Sequence, residues 1–173
     1  MRVSTKSVTK VIIEDIDNLD NVNVALEEYG PGRGKVTIDC FGDAWSHYWG
    51  AMGEKNLIDF IISCDCYYLA KKFAPHVQSE ILITDEKQLE KEMKKEVVSR
   101  RLELGFEKDE ARKVWEEIES SHCSVENTDL MHSVFGDDWW EYAPSEPNPE
   151  YEYILRVVQA TKDGLKMYKE ERG

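Results

Sequence analysis

The chain has 173 residues, 41% of them hydrophobic, and its 35 Asp and Glu outweigh 22 Lys and Arg for a net charge of −13. That length suits one buried core, and that apolar content excludes a disordered chain, which lacks the surface to offset chain entropy. No window approaches the ~18 apolar residues of a membrane helix and residues 1–10 hold no signal-peptide core, so a soluble, cytoplasmic protein is expected.

The first third reads as β structure. Residues 8–16 (VTKVIIEDI) and 21–28 (NVNVALEE) are rich in alternating and β-branched side chains. Gly30-Pro31-Gly32-Arg33-Gly34 is a dense turn signal. Residues 35–41 then alternate again, with Val36, Ile38 and Cys40 on one face. The expectation is a three-stranded antiparallel meander with a tight hairpin at the glycines. Residues 41–54 (FGDAWSHYWGAMGE) show no steady period and read as a shaped loop.

Asn56 is placed to cap a helix over residues 57–73, apolar around much of its circumference and therefore expected to lie buried across the sheet. Pro75 ends it. A short apolar piece follows at 81–83, then a charged helix over 84–104. Gly105 separates it from a second helix over 108–120. Asn127 or Thr128 opens a short helix through Val134, residues 143–149 (APSEPNP) form a Pro-rich loop, and a final helix spans 151–169. The fold class is α+β in one domain, 1–173, with a β meander and loop over 1–55 and a mainly helical part over 56–173.

The negative charge is segregated along the chain. Residues 11–32 hold six carboxylates and residues 114–155 hold eleven, together 17 of the 35, with no Lys or Arg in either stretch. The basic cluster Lys91, Lys94, Lys95, Arg100 and Arg101 is interleaved with Glu90, Glu92, Glu96 and Glu103, the pattern of a solvated helix face. Direct nucleic-acid binding is not expected, because it needs a concentrated positive surface. The glycines at 30, 32 and 34 form no phosphate-binding pattern.

Three constellations are candidates for function. In the 41–54 loop, Asp43 and His47 lie among Trp45 and Trp49: either an acid/base pair in an aromatic pocket, or aromatics anchoring the sheet edge beside a solvated His. Cys40, Cys64, Cys66 and Cys123, with His47, His76, His122 and His132, lack the paired spacings of structural zinc sites, so free thiols, no metal and no cofactor are expected. The third is the acidic stretch itself. Glu116, Glu117, Glu119, Glu126, Asp129, Asp137, Asp138 and Glu141 surround Trp139 and Trp140. Exposed rings in a negative field suit a binder of a basic surface, the rings giving contact area and the charges orientation. The same residues also suit a solubilising face with both Trp folded inward.

The segment Phe41-Gly-Asp-Ala-Trp-Ser-His-Tyr-Trp-Gly-Ala-Met-Gly53 resembles a segment of small accessory proteins of bacteriophages and prophages. The resemblance implies an accessory protein acting inside a bacterial cell, with no catalytic residues to carry over. By analogy of class and composition, it points to an inhibitor of a host nucleic-acid-binding or defence protein, of the anti-CRISPR or anti-restriction type. The reading is therefore a non-enzymatic binding protein that docks a basic host protein surface through residues 116–152. The alternatives are a small enzyme or ligand-binding domain built on Asp43 and His47, and a subunit of a larger assembly. Oligomeric state is left open.

Overall fold

The computed structural model describes residues 1–5, 7–103 and 107–172. The chain divides into two compact units, Met1–Ser79 with Pro149–Gly173, and Glu80–Asn148, each around its own apolar core.

The first unit opens on strands β1 (Thr9–Ile13), β2 (Val22–Gly30), β3 (Arg33–Cys40) and β4 (Asp43–Trp49), paired in chain order as an antiparallel sheet. Val22, Val24 and Leu26 on β2 and Val36, Ile38 and Cys40 on β3 alternate into the core. The expected three-stranded meander is corrected to four strands. What reads as a shaped loop from residue 41 is a two-residue turn and a strand. Phe41 (φ 51°) and Gly42 (φ 90°) both adopt positive φ, the conformation that joins tightly twisted antiparallel strands. Trp45, His47 and Trp49 then share one face of β4 and Ala44, Ser46 and Tyr48 the other; the bulky rings on one face disguise an ordinary alternation.

The helix expected over 57–73 is two helices, α1 (Leu57–Ser63) and α2 (Cys66–Phe73). Asn56 caps α1 as expected, accepting from Asp59 N–H at 2.8 Å. The break lies at Cys64 and Asp65, both extended. Asp65 caps α2 by accepting from the N–H groups of Tyr67 (2.9 Å) and Tyr68 (3.2 Å). A second cap inside an apolar run ends one helix and starts another.

The second unit comprises β5 (Glu80–Leu82), α3 (Glu86–Glu103), α4 (Lys108–Ser120), α5 (Thr128–Phe135), α6 (Trp139–Tyr142) and β6 (Ser145–Pro147). The separator expected at Gly105 lies outside the described residues. β5 and β6 pair as a small antiparallel sheet, so the Pro-rich stretch contributes a strand as well as a loop. Leu89, Met93 and Val97 on α3 pack with Ala111 and Ile118 on α4 and Leu130, Met131 and Val134 on α5.

Helix α7 (Pro149–Glu170) returns to the first unit, joining α1 and α2 against the sheet in place of a single buried helix. Its buried residues Tyr151, Ile154, Val157, Val158, Thr161 and Leu165 recur at helical spacing. Thr161 satisfies its hydroxyl by donating to the Val157 carbonyl at 2.8 Å. At Gly164 the helix meets β1 closely: a Cβ there would lie 2.4 Å from Ile13 Cδ1 and 2.5 Å from Cγ1.

Candidate interaction surface

The charge that is segregated in sequence is segregated between the units too. Glu80–Asn148 carries 19 carboxylates and 9 Lys or Arg, a net −10, leaving 16 against 13, or −3, for the first unit.

The aromatic part of the acidic stretch is built by a turn. Gly136 (φ 88°) ends α5, its N–H donating to the His132 carbonyl, and swings the chain into Asp137 and Asp138. Trp139 N–H then donates to the Gly136 carbonyl and Glu141 N–H to that of Asp138, which closes the single-turn helix α6. One turn of helix sends adjacent side chains in different directions, and the two Trp residues part accordingly. Trp139 packs against the core of the second unit, while Trp140 is 59% and Tyr142 66% exposed. The two tryptophans are thus divided, Trp139 turned inward and Trp140 outward. His132 joins this cluster: its ring lies 6.4 Å from that of Trp139, and its Nδ1 lies 3.8 Å from Asp137 Oδ1. Asp137, Asp138 and Glu141 are all exposed around these rings.

The α4 carboxylates stand in a different setting. Glu119 accepts from Lys94 Nζ at 3.0 Å and from Trp115 Nε1 at 2.9 Å. Lys94, from α3, also reaches Glu90 at 2.8 Å and lies over the Trp115 ring. Hydrogen bonding to Lys94 and then to Trp115 holds the Glu119 carboxyl below its ordinary pKa. The bonds to Glu90 and Glu119 raise that of Lys94. A stretch with no basic residue of its own thus has one carboxylate neutralised by a neighbouring helix. Glu116 and Glu119 border a groove of about 360 Å³ shared with Val97, Arg101, Arg112 and Trp115. Glu126 and Asp129 are exposed and Glu117 half-buried. Tyr142 closes the run of alternating aromatics and carboxylates from Phe135 that the sequence shows, whereas His132 is not part of the docking set read from sequence; its place one turn before the glycine that ends α5 is the signal that could have found it.

The alternative pair stands on β4. Asp43 and His47 share a face, but four residues along a strand separate their Cα atoms by about 13 Å, too far for a direct acid/base contact. Burial pushes the His47 imidazole below its ordinary value, with the Lys72 charge acting in the same direction. Its ring packs edge-on against Trp49 at 4.7 Å. Trp49 is 6% exposed, donates from Nε1 to the Tyr68 hydroxyl at 3.2 Å and packs between Phe60 and Phe73. Trp45 packs on Tyr153, with ring centres 6.1 Å apart. Asp43 is exposed. These aromatics anchor the sheet to its helices.

Cys40 and Cys123 are buried and Cys64 and Cys66 half-buried, all as free thiols. Among the described residues no three His, Cys, Asp or Glu side chains group as metal ligands, and no helix is long and apolar enough to cross a membrane.

These features define an α+β protein in which an antiparallel four-stranded sheet carries helices on one face, and a second, strongly acidic helical unit presents aromatic rings at its surface. The chain belongs to a phage protein family: a family model described as a phage family matches residues 1–167. The likeness first visible over residues 41–53 therefore extends along nearly the whole chain. No curated protein and no solved structure matches it.

Proposed function

We propose that the protein works by binding, docking the acidic, aromatic turn of its second unit onto a basic surface of a bacterial host protein. The observation that carries the reading is the pairing of exposed Trp140 and Tyr142 with exposed Asp137, Asp138 and Glu141 in a unit of net charge −10. Large rings give a docking surface its contact energy, and exposed carboxylates steer and orient it. Membership in a phage family supports a target inside the infected cell. A surface that normally receives nucleic acid is the natural basic target, so the partner is a nucleic-acid-binding or defence protein of the host, and the chain its inhibitor, of the anti-CRISPR or anti-restriction type. The α4 carboxylates have a smaller part, since Glu119 is held by Lys94.

The test is capture from bacterial lysate on the tagged protein, washed at low and then raised salt, followed by challenge with duplex DNA. A basic partner released by salt and displaced by DNA is the expected result. Partners that resist both would overturn the proposal.

A further inference from the structure

The four-stranded sheet has two edges, and they differ. β1 is five residues long and carries Lys10, a common device for discouraging edge pairing. β4 is seven residues long, has no Lys, Arg or Pro, and among the described residues has no strand on its outer side. Its backbone orientation follows from the turn that starts it. In a turn closed by Cys40 and Asp43, the Asp43 N–H donates to the Cys40 carbonyl, so Asp43 faces β3. Orientation alternates along an antiparallel pair. Asp43, Trp45, His47 and Trp49 thus bond β3, and the N–H and C=O groups of Ala44, Ser46 and Tyr48 point away from the sheet. The side chains of those three residues are all exposed.

We propose that β4 is a self-association edge, pairing antiparallel with β4 of a second copy of this chain about a two-fold axis at Ser46. This register uses all three outward residues: Ser46 faces its own copy, and each Ala44 faces the other chain's Tyr48. Six backbone hydrogen bonds result, two for each pair. The side chains suit a second copy rather than an arbitrary strand, because the small Ala44 leaves room for the large Tyr48 across the pair. On the inner face each Trp45 meets a His47. The one charged residue, Asp43, lies opposite Trp49 of the other chain, so the axis brings no like charges together. The product is one continuous eight-stranded sheet, within the ordinary range for open sheets.

The test measures the mass of the full chain by sedimentation, raised to roughly 100 µM because short strand pairing belongs to the weak end of interfaces. Wild type is expected at twice the 20.1 kDa chain mass. S46K and S46E each place like charges across the axis and are expected to sediment as single chains. A 1:1 mixture of the two restores the doubled mass through opposite charges. Circular dichroism of each variant matching wild type shows that the fold is intact, and the mixture makes the test independent of it. A wild-type chain of single mass throughout, or a dimer that persists in both variants, would overturn the proposal.

Discussion

Replacing Gly164 with Ala pits two effects of known size against each other. Alanine is favoured over glycine inside a helix by roughly 1 kcal/mol. Here the added methyl would meet Ile13 Cδ1 at 2.4 Å and Cγ1 at 2.5 Å. Cδ1 is the free end of a side chain and can swing aside, but Cγ1 is set by χ1 and moves only with a rotamer change or a shift of α7 from β1. Overpacking of this kind costs about 1–3 kcal/mol. The net expectation for G164A is a loss of about 1 kcal/mol, or roughly 2–4 °C in Tm for a chain of this size. In an Ile13→Ala background the obstacle is gone, and the same substitution is expected to stabilise by up to ~1 kcal/mol. Urea and thermal melts followed by circular dichroism on the four proteins complete the cycle. A coupling near zero would refute the claim that α7 is held against β1 through this contact.

Removing the cap in Asp65→Ala frees the N–H groups of Tyr67 and Tyr68, and a loss of about 1 kcal/mol in urea melts is expected. Trp49→Ala removes a ring packed between Phe60 and Phe73 and is expected to cost ~3–5 kcal/mol, whereas Trp140→Ala at the surface stays within about 0.5 kcal/mol; similar values for the two would contradict their placement. Tyr153 donates to Cys40 Sγ at 3.3 Å, and this bond, with burial and nearby negative charge, pushes its phenol up to about 12 from 10.0. Its contribution is therefore complete below pH 10 and is lost as pH climbs toward 12. Y153F should flatten the fall in Tm across that window, and an unchanged profile would count against the Tyr153–Cys40 bond.

How much of this was legible in the sequence depends on where the determining contacts lie. β2 and β3 are written in their alternation because each buries one face. β4 was hidden: its exposed face holds Ala44, Ser46 and Tyr48 and its inner face Trp45 and His47, so neither looks plainly polar or apolar. The break at Asp65 was local and readable in principle, but an apolar run on both sides outweighed one capping residue. The return of α7 to the sheet and to α1 rests on contacts more than a hundred residues apart, such as Tyr153 with Cys40 on β3 and Lys169 with Asp59 on α1, which periodicity does not report. At the surface, sequence located the acidic stretch. It missed that Lys94 from α3 neutralises Glu119, and it could not divide Trp139 from Trp140, because a single helical turn sets those two directions.

The measurement closest to the central claim is the affinity of the captured partner for wild-type protein and for the triple variant D137K/D138K/E141K, taken at two salt concentrations. Wild type is expected to bind more weakly as salt rises, and the variant to lose at least about tenfold at low salt, since reversing charges beside the docking rings turns steering into repulsion. A variant that binds as tightly as wild type, with the same salt dependence, would show that the acidic turn of the second unit is not the docking surface.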